Sequence, residues 1–215
     1  MTPEELASLR KDYTMNALNE ADMAATPILQ FEKWWRDAEM SQITEMNAMT
    51  LATTAHDGMV DARTVLIKAF DEKGFVFFTN YNSHKGKELH ENPQACLVFF
   101  WKELERQVRI TGRVQKVSAA ESDEYFNSRP AGSRVGAWAS PQSSVISSRE
   151  VIEKNIVKVE EQFAGTEITR PLHWGGYIVI PAVIEFWQGR TNRLHDRLQY
   201  SKMQDGSWKI ERLAP

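Results

Sequence analysis

The chain has 215 residues, with 26 Lys and Arg against 29 Asp and Glu, and its net charge of −3 lacks the basic surplus of a nucleic-acid binder. With 42% hydrophobic and 26% charged residues it has the composition of a soluble globular protein, long enough for one domain with appended helices. A single cysteine excludes an intrachain disulfide and a cysteine-cluster metal site.

No basic leader followed by an apolar stretch opens the chain, and no apolar run reaches membrane-spanning length, so a cytoplasmic protein is expected. Residues 2–18 read as a short charged helix or arm, followed by a breaker at Thr26-Pro27. From Ile28 to Met40, Leu29, Trp34, Trp35 and Ala38 recur at the spacing of an amphipathic helix. The period then becomes strand-like. Residues 48–55 and 60–70 flank His56-Asp57-Gly58 and predict a hairpin, and Asp71-Glu72-Lys73-Gly74 turns the chain into a strand over 75–79. A short helix over 83–91 is stopped by Asn92-Pro93, and strands follow over 95–101 and 104–117. Cys96 lies in the first of these and is expected to be a buried thiol. In the second, Gln107, Arg109, Thr111 and Arg113 alternate with Val108, Ile110, Gly112 and Val114, leaving one polar face. Ser118 and Glu121 form a capping box for a helix to Asn127, and a further helix is expected over 147–163. Residues 174–188 return to strand, and 194–200 pair with 207–213 across Gln204-Asp205-Gly206. Many antiparallel strands with short turns and few helices predict a mainly β, α+β fold: an antiparallel barrel with peripheral helices.

The densest chemistry lies in Trp187-Gln188-Gly189-Arg190-Thr191-Asn192-Arg193-Leu194-His195-Asp196-Arg197. In an extended strand Arg193, His195 and Arg197 would share one face, a poor core surface whose natural partner is a planar anion. A solvated edge strand is the bland alternative. There is no glycine-rich phosphate loop, no His/Glu pattern at metal-ligand spacing and no nucleophile elbow. Phosphate-binding chemistry nonetheless recurs. Arg63 and Lys68 flank a strand and, five apart, point to opposite faces unless a bulge intervenes. Ser83-His84-Lys85 opens a helix, where free N–H groups favour an anion. Tyr125 and Arg129 stand four apart on a helix, with Ser133 in the following loop. Two such sets suggest a phosphorylated cofactor together with a phosphorylated substrate.

Tyr125-Phe126-Asn127-Ser128-Arg129-Pro130, continued by Ser133, Gly136-Ala137-Trp138 and Gln142-Ser143-Ser144, resembles the central signature of the pyridoxamine/pyridoxine 5'-phosphate oxidases. So do residues 63–68, 104–108, 185–189 and 193–197, and the closing segment 208–215; the likeness runs from Leu9 to the last residue. It implies an FMN-binding split β-barrel working as a homodimer, with FMN between subunits. Residues 1–26 would be a helical arm covering the substrate, and 27–215 a single domain. By motif, FMN would be held by Arg63, Thr64, Val65, Leu66, Ile67, Lys68, Phe78, Thr79, His84, Lys85, Gln107, Gln142, Ser143, Trp187 and Arg197. Lys68, Tyr125, Arg129 and Ser133 would take the substrate phosphate. Arg193, Leu194 and His195 would line its ring, with Arg193 and His195 catalytic, and Arg10, Lys11, Asp12 and Tyr13 would form the cover. The implied reaction is oxidation of pyridoxamine or pyridoxine 5'-phosphate by O2 to pyridoxal 5'-phosphate, with no metal. Two positions depart from the family pattern: His84 stands where Arg is common, and Glu45-Met46 where Asp-Pro is common. The alternatives are another split-barrel flavin oxidoreductase or a non-catalytic flavin or pyridoxal-phosphate carrier. A metal-dependent hydrolase is disfavoured by the lack of clustered ligands.

Overall fold

Thr26-Pro27 starts a helix rather than breaking one. Thr26 accepts from the Leu29 N–H as N-cap, and Pro27 occupies the first helical position, where a missing N–H costs nothing. The structure is a computed structural model that describes residues 2–9 and 12–215; Arg10 and Lys11, expected in the cover, lie outside the described residues.

Helix α1 spans only Pro3–Ser8, opened by a capping box at Thr2, so it takes up only the first part of the 2–18 segment read as a short charged helix or arm. Helix α2 (Pro27–Met40) follows, then strands β1 (Ala48–Thr54), β2 (Val60–Asp71) and β3 (Gly74–Asn80). Helix α3 (His84–Glu91), β4 (Gln94–Trp101) and β5 (Arg106–Lys116) come next, with Leu104 in a 3-10 turn before β5. Helices α4 (Ala119–Ser128), α5 (Ala131–Ala139) and α6 (Glu150–Gln162) precede β6 (Trp174–Gln188), β7 (Asp196–Lys202) and β8 (Trp208–Leu213). The strand order is β3-β2-β1-β4-β5-β6-β7-β8, and an added antiparallel β3–β6 pairing closes the first six into a barrel.

By contact density the chain divides into two units. One comprises Met1–Met49, Leu97–Thr111 and Pro181–Pro215; the other comprises Thr50–Cys96 and Gly112–Ile180. The first is built around α2, β7 and the adjoining strand ends. Phe31 packs on Phe99 at 5.2 Å between ring centroids, Trp34 on Phe186 at 5.1 Å and Phe186 on Tyr200 at 5.7 Å. Each such ring taken from water contributes roughly 1.5–3 kcal/mol. The Arg106 guanidinium lies 4.5 Å over Trp34 and reaches Asp37 at 2.7 Å and Gln188 at 3.0 Å, which satisfies a mostly buried cation.

In the second unit β3 pairs with β6 from Phe75↔Val179 to Asn80↔Trp174, burying Phe75 and Phe77. Phe126 and Trp174 form a further cluster with Phe78 and Tyr125 against it. Cys96 is half-buried rather than buried, because Ala95, Leu97 and Phe99 take the inner face of β4. Helix α5 is absent from the sequence expectation. Its Ala-Gly-Ser start follows Pro130, which offers no side-chain cap, and burial of Val135, Ala137 and Ala139 holds it. No helix among the described residues is long and apolar enough to cross a membrane.

Candidate functional site

The second unit carries a cavity of about 640 Å³. Thr64, Val65, Leu66 and Lys68 of β2 line it, with Phe78 and Thr79 of β3, Lys85 of α3, and Tyr125, Arg129, Ser133 and Gln142. Among the described residues three cations line this space (Lys68, Lys85 and Arg129), and no carboxylate does. Lys68 reaches it because the β2–β3 register shifts between Ile67 and Ala69, while Ile67 itself is buried in the core. Lys85 is placed by α3, whose N-cap Ser83 accepts from the Gly86 N–H; burial, and then the nearby Arg63, pulls its ammonium below its usual value. Thr79 and Gln142 are 3.4 Å apart.

Tyr125 stacks on Phe78 with centroids 4.0 Å apart, and Lys68 Nζ lies 5.9 Å from the Tyr125 ring. Arg129 is not on the helix face expected for it. α4 ends at Ser128 and Arg129 is its extended C-cap, so the guanidinium leaves the helix direction yet still lines the cavity. Its Nη1 is buried without a hydrogen-bond partner, a costly state that an anion would relieve. Ser133 sits in the first turn of α5 and not in a loop.

Arg63, His84 and Ser143 are not among the lining residues. Arg63 is held by Thr53, Asp61 and, at 3.0 Å, Glu88. His84 Nε2 lies 3.1 Å from Glu88 and 3.9 Å from Asp61, with its side chain 63% exposed. The fold thus brings together an Asp61-His84-Glu88 trio that sequence spacing did not reveal, with the Arg63 cation already on both acids. Ser143 is exposed in a left-handed turn at φ 68°.

The remaining expected residues lie in the first unit. The Arg193-His195-Arg197 row does not form. Thr191–Arg193 is a 3-10 turn in which Asn192 (φ 55°) and Arg193 (φ 61°) are left-handed, and β7 begins only at Asp196. Arg193 and Leu194 are exposed. The Arg190 backbone N–H donates to His195 Nδ1 at 3.1 Å, leaving the neutral ring's proton on Nε2. Burial, then Arg193, holds His195 below the usual histidine value. His195 packs on Trp187 at 4.6 Å, and Tyr13 meets both rings edge-on at 5.9 and 5.8 Å. Gly189 makes that approach possible, since a Cβ there would collide with Tyr13. Arg197 is gripped by Glu185 at 2.9 and 3.1 Å, which raises its pKa and fixes it in place. Gln107 is half-buried on β5, and Asp12 is exposed.

Sequence reading missed the acids that hold the arm. Glu105 accepts from the Thr14 and Met15 N–H groups, and Asp196 from that of Leu18. Trp174, a member of the buried cluster with Phe126 and Ala137, also lines the cavity.

A closed antiparallel barrel of this order, with these flanking helices, defines a split-barrel protein. Residues 36–163 match the family profile described as Pyridoxamine 5'-phosphate oxidase, and residues 174–215 that of the Pyridoxine 5'-phosphate oxidase C-terminal dimerisation region. The chain belongs to this oxidoreductase family, and the second match supports homodimer formation. A pyridoxine/pyridoxamine 5'-phosphate oxidase of Trichormus variabilis is 60% identical over 210 residues, 98% of each chain. Among solved structures, PhzG from Burkholderia lata, in complex with tetrahydrophenazine-1-carboxylic acid, has a TM-score of 0.87 at 28% identity, covering 94% of this chain and 99% of its own. A pyridoxamine 5'-phosphate oxidase-related, FMN binding protein of Nostoc punctiforme has a TM-score of 0.70 at 16% identity, covering 90% and 100%, and shares the fold.

Proposed function

We propose that this chain is an FMN-dependent oxidase that converts pyridoxamine 5'-phosphate and pyridoxine 5'-phosphate to pyridoxal 5'-phosphate, serving vitamin B6 supply in the cytoplasm. The observation that carries the reading is the cavity lined by Lys68, Lys85 and Arg129, with no acid among its described lining residues, where a buried Arg129 N–H lacks a partner. Such a donor set fits phosphate groups. Lys85, Thr79, Gln142 and the 64–66 backbone suit the FMN side, with Arg63, Ile67, Phe78, His84, Gln107, Ser143, Trp187 and Arg197 assigned to it by family motif. Lys68, Tyr125, Arg129 and Ser133 suit the substrate phosphate. A homodimer with FMN at its interface, and residues 1–26 as a cover over one 27–215 domain, belong to the same proposal.

Bound FMN would supply a two-electron acceptor for oxidation at the substrate C4', with O2 as the final oxidant giving H2O2 and, for the amine substrate, water supplying the aldehyde oxygen as ammonia leaves. The chain's own part is positioning and charge placement. Arg193 would orient the pyridine ring, and His195 would donate from Nε2 toward a ring substituent. Tyr13 would shield the ring from water.

The test is purification followed by release of a yellow chromophore, then oxygen uptake and aldehyde formation with each phosphorylated substrate. Bound FMN and oxygen uptake are expected with both. Protein that neither holds FMN nor consumes oxygen with either substrate would sink the reading, and FMN without oxygen uptake would indicate a carrier.

A further inference from the structure

Arg129 differs from Arg63 and Arg197 in what holds it. Arg63 is paired with Asp61 and Glu88, and Arg197 is gripped at both edges by Glu185. Arg129 has no carboxylate partner among the described residues. Its guanidinium carbon instead lies 4.6 Å from the centroid of the Trp174 ring, and Nη1 is buried and unpartnered. Burial lowers its pKa, and the nearby Tyr125 phenol partly opposes that shift.

Trp174 is itself firmly placed and 7% exposed. Its ring lies nearly parallel to Phe78 (5.6 Å, 14°) and to Tyr125 (6.1 Å, 9°). Its backbone N–H donates to the Pro171 carbonyl at 3.0 Å. Its own carbonyl accepts from Arg170 Nη1 at 2.6 Å, and Arg170 Nε donates to Asp123 at 2.6 Å.

An aromatic face attracts a cation through its quadrupole without cancelling the charge. A carboxylate in the same place would fix the guanidinium as well, but it would neutralise it and repel a phosphate. We propose that Trp174 is a positioning residue that holds Arg129 from one face, so that its undiminished charge and its N–H edge are left for the substrate phosphate. Arg170 and Asp123 extend this support by fixing the Trp174 backbone. The proposal rests on the reading that the cavity takes a phosphorylated pyridine.

Calorimetric titration of the FMN-loaded protein with pyridoxal 5'-phosphate and with pyridoxal tests it. The preference for the phosphorylated ligand is expected to fall about tenfold in Trp174→Leu and about threefold in Trp174→Phe, which keeps a ring. Affinity for pyridoxal should stay unchanged. In an Arg129→Ala background, Trp174→Phe should change the preference no further. Equal losses for both ligands would show a packing role and overturn the proposal, as would a wild-type preference retained in Trp174→Phe. If Trp174→Leu does not fold, Trp174→Phe and the double variant decide. Wild-type protein that binds both ligands equally would overturn the phosphorylated-pyridine reading, and this proposal with it.

Discussion

The Glu105 carboxylate accepts a hydrogen bond from the Thr14 backbone N–H at 2.8 Å, joining residues 91 positions apart, and a second from Met15 at 3.1 Å. Glu105 is buried, so these charge-assisted bonds act in a low dielectric and contribute about 1.5–3 kcal/mol each. Glu105→Gln is expected to speed amide exchange at Thr14 and Met15 at least tenfold. The Leu18 amide, bonded to Asp196, should change less. Unchanged protection at Thr14 and Met15, measured by hydrogen exchange, would refute the anchoring role.

Gly189 is the position at which a single methyl group should move the arm. A Cβ there would overlap the Tyr13 side chain. Gly189→Ala is expected to displace Tyr13 from Trp187 and His195, with the roughly 1–3 kcal/mol penalty of an overpacked contact. The melting temperature should fall by a few degrees and KM for phosphorylated substrate should rise severalfold. Wild-type values of both would show that Tyr13 is not seated as described.

His195 sets a pH dependence whose direction is fixed by its surroundings. Burial and Arg193 push its pKa below 6.5, and the Arg190 N–H occupies Nδ1. As pH falls through 6.5 the unfolded chain takes up a proton that the folded ring still refuses. The stability carried by the neutral ring is therefore complete above 6.5 and is lost as pH drops through the lower folded value. The acid limb of the rate profile should lie below 6.5. Arg193→Ala should move that limb upward, keep FMN bound and reduce turnover roughly 100-fold. A ring-proton NMR titration giving His195 a pKa above 6.5 would overturn this pH dependence.

His84 stands beside Glu88 and Asp61 and is mostly exposed. An imidazole presents at most two N–H donors where a guanidinium presents five in a planar fork, so its pairing holds these acids less firmly than an arginine would. His84→Arg is expected to tighten FMN binding severalfold by fluorescence titration at pH 7.5. Tighter binding by wild type would contradict this.

The strands were largely legible because their alternation survives in the burial. Val108, Ile110 and Val114 of β5 are buried while Arg109, Thr111 and Arg113 between them are exposed, and residues 174–188 form β6 end to end. Helix α5 was not legible, because glycines at 132 and 136 weaken helix propensity and only packing of its apolar side decides the outcome. The Arg193-His195-Arg197 row failed for a local reason. Asn192 and Arg193 both turn left-handed without a glycine to signal it. Which acid holds which arginine was hidden for a different reason: Arg63–Glu88 and Arg106–Asp37 are long-range choices made by the fold.

Glu105 and Asp196 hold the arm by its peptide N–H groups and not by its side chains. A grip of that kind recognises a path rather than a sequence, since every residue except proline presents the same amide. Positions 14 and 15, whose side chains are exposed, are therefore free to drift among homologous chains so long as proline stays out, whereas Leu18, whose side chain is buried, and the two acids that do the gripping are not.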